Sequence, residues 1–341
     1  LNQWANVVRW EMRPRLFMRT TEFLWQEGHT AHASNEEADA MARKMLDVYE
    51  NFAKEVMAIP VIPGQKSESE KFAGALHTYC IEAMMQDGKA LQFATSHNLG
   101  QNFAKVFNVS FLDESNQSQF VWQTSWGLST RSIGGLIMSH SDDKGLVLPP
   151  MIAPYAVVII PIWNSDETKE LVLREAMRIK SELNVEVIID ETEGRPGEKH
   201  YRWEKKGVPL RIEIGPRDIE SKTLVLVRRD TGDKRTVSQD ELSTEVLKTL
   251  EEIQTSLFNK ANERLQSRIV SVDDWDSFVK EIEAGNFVSA HWSGDAEVEK
   301  QIKEETKATI RCLPFDGREE SGNCIKSGLP SSRRVIFARA Y

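Results

Sequence analysis

The residues able to do chemistry in this chain are three arginines, each set among small, aromatic and acidic neighbours. The first lies in Arg9-Trp10-Glu11, a short basic loop. The second opens Arg19-Thr20-Thr21-Glu22-Phe23-Leu24-Trp25-Gln26-Glu27-Gly28-His29. The third stands in Gly127-Leu128-Ser129-Thr130-Arg131-Ser132-Ile133-Gly134. A guanidinium is always charged, and its planar fork matches phosphate oxygens. Such segments at separate places in one domain describe a site that holds a polyphosphate at both ends. Any one of the arginines taken alone reads as a surface ion pair of little worth. It is the group of three that points to function.

Those side chains need elements to position them. The segments around Val7 and Phe23 read as strands joined by a polar turn, and 91–93 and 120–125 read as further strands. Ser34 and Glu37 have the spacing of a capping box and predict a helix running to about Ala58. Near Pro149-Pro150 the pattern changes. Residues 156–160 are a continuous apolar run, as in a buried strand. Leu171, Val172, Ala176, Ile179 and Leu183 follow at helical spacing, then strands at 185–189, 210–214 and 224–227. This strand–helix–strand alternation predicts a small α/β domain with a mixed sheet. Ser238 and Glu241 then cap a long helix with Leu242, Val246, Leu250, Ile253, Leu257 and Leu265 on one face. The remainder, about 266–341, reads as a third small α/β unit.

The 341 residues predict two or three domains. With 28% charged and 40% hydrophobic residues, the composition is that of an ordinary globular protein. No apolar run approaches the ~20 residues that span a bilayer, and the amino terminus is not signal-like. Three sparse cysteines (Cys80, Cys312 and Cys324) argue against a disulfide framework and for a reducing compartment, the cytoplasm. The net charge of −9 does not exclude a nucleic-acid partner, because binding needs only a local basic face. Residues 195–235 carry twelve Lys/Arg against seven Asp/Glu. On charge alone that window is a solvated surface.

The quoted segments resemble motifs 2 and 3 of class II aminoacyl-tRNA synthetases, and the resemblance narrows to prolyl-tRNA synthetases of the archaeal and eukaryotic-like form. It also rests on Asn2-Gln3-Trp4, Glu70-Lys71-Phe72-Ala73-Gly74-Ala75, Thr95-Ser96-His97-Asn98-Leu99-Gly100-Gln101-Asn102-Phe103 and Gly145-Leu146-Val147-Leu148-Pro149-Pro150, and it runs the length of the chain. It implies an α+β catalytic domain at 1–153, an antiparallel sheet flanked by helices. An α/β anticodon-binding domain at 154–265 and a small C-terminal α/β domain at 266–341 would follow. The implied activity is proline–tRNA ligation: proline is activated with ATP and Mg2+ to prolyl-adenylate and passed to the end of its tRNA. The alternative is a catalytically silent paralogue or fragment that binds tRNA for regulation.

By the same resemblance, Arg9 contacts the α-phosphate and the proline carboxylate, while Arg19 and Arg131 clamp the β- and γ-phosphates. Phe23 stacks on adenine, with Glu11 and Thr20 near its polar edge, and Gln92 and Ser129 sit near the ribose and the metal-bound phosphates. Trp25, Phe72 and His97, with Glu27 and His29 close by, match the proline pocket. Glu193, Arg195 and Lys199 are the implied tRNA contacts. About a hundred residues separate Gly28 from Arg131, too few for the editing domain that some relatives insert there. Relatives of this form often hold zinc with four cysteines in the last domain. The corresponding positions here are Ser293, Val298, Cys324 and Ser327, and one thiolate cannot make a structural zinc site, so no zinc is expected. Motif 1, which forms the dimer interface in class II enzymes, should lie upstream of Leu1. The expectation is therefore a homodimer through that region, with the chain part of a longer polypeptide.

Overall fold

In the computed structural model, which describes residues 1–341, the three arginine segments flank neighbouring strands of one sheet. In chain order the first elements are β1 (Asn2–Val8), β2 (Glu22–His32), α1 (Asn35–Asn51), β3 (Val61–Gln65), β4 (His77–Met84), β5 (Ala90–Gly100), α2 (Asn102–Phe107), the hairpin β6 (Ser110–Leu112) and β7 (Ser118–Phe120), β8 (Trp122–Ser129) and α3 (Arg131–His140). Next come β9 (Val157–Pro161), α4 (Asp166–Glu182), β10 (Val187–Ile189), α5 (Pro196–Lys206), β11 (Leu210–Ile214), α6 (Pro216–Ser221), β12 (Thr223–Arg228), β13 (Lys234–Ser238) and α7 (Leu242–Ser267). The chain closes with β14 (Ile269–Ser271), α8 (Trp275–Glu283), β15 (Phe287–His291), α9 (Ala296–Thr306), β16 (Thr309–Pro314), β17 (Glu319–Asn323) and β18 (Pro330–Ala338). Residues 1–54, 60–135 and 262–341 form one unit; 55–59 and 136–261 form a second.

In the first unit the strand order is β1-β2-β8-β5-β4-β3, all antiparallel, continuing through β16-β18-β15-β14. Val7 faces Phe23 across β1 and β2, so the loop between these strands returns Arg9 and Arg19 to the same end. Gly28 is obligatory in β2, since a Cβ there would come within 2.2 Å of the Trp126 indole. Ala38, Ala42, Leu46 and Tyr49 recur at helical spacing along α1 and are buried where it packs on β5 and β8. Ser34 accepts from the Glu37 N–H at 3.2 Å, but the Glu37 carboxylate returns to the Ala33 N–H, one residue earlier than a capping box requires. The helix also stops short of expectation. After Asn51 it widens into a π turn, Phe52–Val56, and Ala58 leaves in the left-handed region (φ +54°).

The C-terminal segment departs most from the sequence reading. It does not close a sheet of its own: β16 pairs with β3 (Leu313 opposite Gln65, Pro314 opposite Gly64) and extends the catalytic sheet. Gly64 permits this, because a Cβ there would sit 2.6 Å from the Leu313 carbonyl. Such a join depends on strands some 250 residues apart and leaves no local signal.

The second unit is the expected mixed sheet, ordered β10-β9-β11-β12-β13, with β9 to β11 parallel and β12 and β13 antiparallel. Val172, Ala176 and Ile179 of α4 and Leu242, Val246 and Leu250 of α7 cover one face. Trp203 and Val208 cover Val158 and Ile160 on the other. The first part of the basic window, before the expected strand at 210–214, contains α5, an element that the sequence reading does not assign. Pro196 occupies its first turn and Gly207 (φ +74°) ends it, the usual start and stop residues of a helix. No helix is long and apolar enough to cross a membrane.

Candidate active site

A cleft opens over the ends of β2, β5 and β8, lined by Arg9, Thr20, Phe23, Trp25, Gln92, Ser129 and Arg131. Six of the eight residues that the resemblance assigns to ATP therefore meet there. The other two, Glu11 and Arg19, face each other at 3.9 Å. The Arg9 guanidinium lies 4.8 Å above the Phe23 ring, the face assigned to adenine. Arg19 also donates to the main-chain oxygen of Tyr341 at 3.1 Å. Arg131 stands at the start of α3 and donates from Nε to the Met18 carbonyl at 3.0 Å.

The cleft is electrostatically incomplete. Neither Arg9 nor Arg131 has a carboxylate within ion-pair distance. Burial first, and then the charges of Arg9 and Arg19, lower the proton affinity of Arg131, with Glu82 offsetting part of this. Mutually repelling guanidiniums around a cleft are stabilised when a polyanion enters, and positioned cations are what phosphoryl-transfer chemistry demands of a protein.

Beside the cleft lies an aromatic cluster. Trp25, Glu27 and His29 alternate along β2 and so share a face. Across β8, Ser125 lies opposite both His29 of β2 and His97 of β5. Glu27 accepts from the Gln3 amide at 2.7 Å and lies 3.3 Å from His29 Nε2. The Phe72 ring packs on His97 with centroids 5.1 Å apart. Burial, reinforced by His29, pushes His97 down to about 4, so its imidazole is neutral near pH 7. The Trp25 Nε1–H is buried without a partner, a donor left available beside the cleft. Five of the six residues assigned to proline thus cluster on β2, β5 and the loop of Phe72, and the sixth, Arg9, lines the cleft with Trp25. Sequence reasoning missed Thr78, whose hydroxyl accepts from the Phe72 N–H at 2.9 Å and bonds His97 Nδ1 at 3.0 Å.

It also missed a buried ion group in the same unit. The Glu82 carboxylate is fully buried; it accepts from Lys66 Nζ at 2.7 Å and from Arg311 Nε and Nη2 at 3.0 and 2.9 Å. Burial alone would raise the Glu82 pKa, but Arg311 and Lys66 hold it below the usual carboxylate range. The signal was present: Glu82 and Arg311 each interrupt an apolar strand, where a charge requires a partner.

Comparison with known proteins agrees with this geometry. Residues 1–140 match the family model for the tRNA synthetase class II core domain (G, H, P, S and T), 156–249 match the anticodon binding domain, and 275–341 match the C-terminal part of prolyl-tRNA synthetase. The proline–tRNA ligase of Phocaeicola vulgatus is 56% identical over 347 residues, covering all of this chain and 70% of that protein. Those of Bacteroides fragilis (55% over 348 residues) and Salinibacter ruber (53% over 345 residues) have the same coverage. The chain belongs to the proline–tRNA ligase family. Its first residues therefore form a class II aminoacyl-tRNA ligase core, and the arginine-lined cleft lies within it.

The residues assigned to tRNA lie in the stretch that matches the anticodon-binding model. Arg195 is exposed at the N-cap of α5. Glu193 is exposed and pairs with Lys169. Lys199 is only 2% exposed; its Nζ donates to the Asp190 carbonyl at 3.1 Å and lies 4.2 Å over the Trp163 ring. Asp190 in turn accepts from Trp203 Nε1 at 2.7 Å. Lys199, read from sequence as a tRNA contact, is therefore buried and bonded in this structure. It falls on the inward face of α5, a helix that the count of charges does not reveal.

In the family's C-terminal region, the four positions compared with zinc ligands contain one thiol. Cys324 is buried in a turn where its N–H donates to Leu329 O at 2.7 Å. Burial would raise that thiol, but the Ser327 hydroxyl and the N–H groups of Ser327, Lys326 and Ser293 bring it below its ordinary value. Val298 packs in the same apolar cluster as Cys324. No three His, Cys, Asp or Glu side chains converge on a point that could hold an ion.

Proposed function

We propose that this chain carries the catalytic and anticodon-reading parts of a proline–tRNA ligase, activating proline with ATP and transferring it to tRNA(Pro). The observation that carries the proposal is the convergence of Arg9, Arg19 and Arg131, two of them without a carboxylate partner, beside a small pocket of Trp25, Phe72 and His97. In the activation step a proline carboxylate oxygen forms a bond to the α-phosphorus while the bond to the bridging oxygen of pyrophosphate breaks. Arg9 would neutralise charge at the α-phosphate and orient the carboxylate. Arg19 and Arg131 would hold the leaving pyrophosphate in line, with Ser129 and Gln92 on the ribose side and Phe23 under adenine once Arg9 swings off it. Magnesium would enter with ATP. The cleft offers it few hard oxygens, chiefly Glu11 and the hydroxyls of Thr20 and Ser129, so the phosphates would supply most of its ligands.

A proline ring with no side-chain donor offers few polar handles, so discrimination against alanine and cysteine should be modest. The archaeal and eukaryotic-like form is part of the proposal. The relatives compared are bacterial, and the subtype is supported by the sequence resemblance and by a β2–β8 interval taken up by sheet, helix and hairpin. We further assign 1–153 to catalysis, 154–265 to anticodon binding and 266–341 to the C-terminal domain, in a cytoplasmic homodimer without zinc. Arg195 and Glu193 are the assigned anticodon contacts; Lys199 would reach a base only by leaving Asp190 and Trp163, so we assign it to supporting the Asp190 turn.

Proline-dependent exchange of labelled pyrophosphate into ATP tests the reading. Exchange with proline, and weaker exchange with alanine or cysteine, is the expected result. A protein that binds tRNA(Pro) yet shows no exchange would refute the assigned activity.

A further inference from the structure

We propose that Glu299, on α9 of the C-terminal region, is a positioning residue for the proline pocket. It would act by latching the loop that carries Phe72, an inference that rests on the functional reading above. The loop leaves β3 at Lys66 and returns at Thr78. Its first turn is tight: the N–H groups of Glu70 and Lys71 both donate to the Ser67 carbonyl, at 3.2 and 2.9 Å. Phe72 follows directly, and its own N–H is held by Thr78, which also holds His97. The turn itself has one buried anchor. Ser67, 2% exposed, donates from its hydroxyl to Glu299 Oε1 at 2.8 Å.

Glu299 is only 4% exposed, and its second oxygen is buried without a hydrogen-bond partner. Burial raises its pKa, opposed by the hydroxyls of Ser67 and Ser69. A buried carboxylate with one oxygen left unbonded is costly to keep. One helical turn on, Lys303 reaches Glu70 Oε1 at 3.0 Å, but that pair lies at the surface and contributes little. Two residues of α9 thus hold the 67–71 turn at Ser67 and Glu70, and the side chain that follows the turn, Phe72, is the one assigned to the proline pocket. Losing the buried grip frees the turn to shift. A wall displaced by a fraction of an ångström weakens the hold on a small ring without touching the phosphate clamp across the cleft.

The experiment is pyrophosphate exchange on the protein with Glu299→Ala, Glu299→Gln, Ser67→Ala, the double Ala variant and Lys303→Ala. Glu299→Ala should raise the proline KM about tenfold, with kcat and the ATP KM within about twofold of the parent. Ser67→Ala should do the same, and the double variant no more, since the two share one interaction. Glu299→Gln keeps an acceptor for Ser67 and should recover most of the loss. Lys303→Ala should change the proline KM less than about twofold. An unchanged proline KM in Glu299→Ala, or proline and ATP constants moving together, would overturn the latch, as would a larger effect from Lys303→Ala. Amide hydrogen exchange of residues 67–76 provides a readout independent of activity. It should quicken in Glu299→Ala and Ser67→Ala, and unaltered protection would overturn the latch. If the parent protein shows no proline-dependent exchange, the functional reading fails, and the protection data still decide whether Glu299 holds the loop.

Discussion

The cleft and the basic window both attract attention by their positive charge, yet they treat that charge in opposite ways. In the window six of the twelve cations pair with a carboxylate: Arg202 with Asp190, Arg211 and Lys234 with Glu213, Arg228 with Asp230, Arg229 with Asp142 and Arg235 with Glu245. Lys199 is folded inside against Trp163. In the cleft, Arg9 stacks on Phe23, Arg131 touches only a carbonyl, and Arg19 has Glu11 no nearer than 3.9 Å. Counting lysines and arginines therefore ranks the two regions wrongly. The density of unneutralised charge separates a site that waits for an anion from a surface that has paired half of its cations.

The sharpest test of that distinction removes a charge that is fully paired. Glu82 binds both Lys66 and Arg311 in the interior, so Glu82→Ala leaves two buried cations without a partner. The expected cost is about 3–5 kcal/mol of stability. Denaturant unfolding at neutral pH measures it, and a variant as stable as the parent would show that the pairing is dispensable. The pH dependence has a definite sign. The Glu82 carboxyl is depressed in the folded state, so its contribution is complete above the unfolded carboxyl range, about pH 4.3, and is lost as pH falls below it. That acid-side loss should be weaker in the variant.

Removing an unpaired charge should do the reverse. Arg131→Ala deletes a guanidinium whose folded-state environment disfavours its charge. We expect proline-dependent pyrophosphate exchange to fall by about 10²–10³, the usual effect of losing one positioned donor in a transition state. Thermal unfolding should show no loss of stability. A variant that keeps its exchange activity, or that loses it only by unfolding, would place Arg131 among the structural cations.

Much of this was legible in sequence because it is local. The run at 156–160 reads as a buried strand and is one, and the stripe from Leu242 to Leu257 marks the buried face of α7. The arginine segments announced the cleft because residue type and neighbours suffice for chemistry. What escaped depends on tertiary partners. Glu82 and Arg311 are 229 residues apart and become a pair only when β16 joins β3. Thr78 looks like any strand threonine until Phe72 and His97 converge on its hydroxyl. The inward turn of Lys199 follows from the phase of α5, which charge density hides and which Pro196 and Gly207 reveal once they are read as helix ends.

Within the anticodon-binding region the same contrast predicts a smaller effect. Arg195 is exposed, has no carboxylate partner and stands where the chain enters α5. Arg195→Ala should lower kcat/KM for tRNA(Pro) by about 1–3 kcal/mol, the worth of one arginine–base contact, and leave pyrophosphate exchange untouched. Equal aminoacylation by parent and variant at low tRNA concentration would remove Arg195 from the interface.

The smallest expected effect belongs to its neighbour one turn along. Lys199→Met exchanges a buried amine for an apolar chain of similar length beneath Trp163 and leaves the Asp190 carbonyl without that donor. A stability loss of about 1 kcal/mol is expected, the usual net worth of one hydrogen bond. The kinetics of tRNA charging should stay within about threefold of the parent. If Lys199→Met instead matched Arg195→Ala in kcat/KM, the lysine must leave its bonds to meet the tRNA. Pairing in the free protein would then fail as a guide to which cations bind, and the contrast between the two regions would hold for phosphate sites alone.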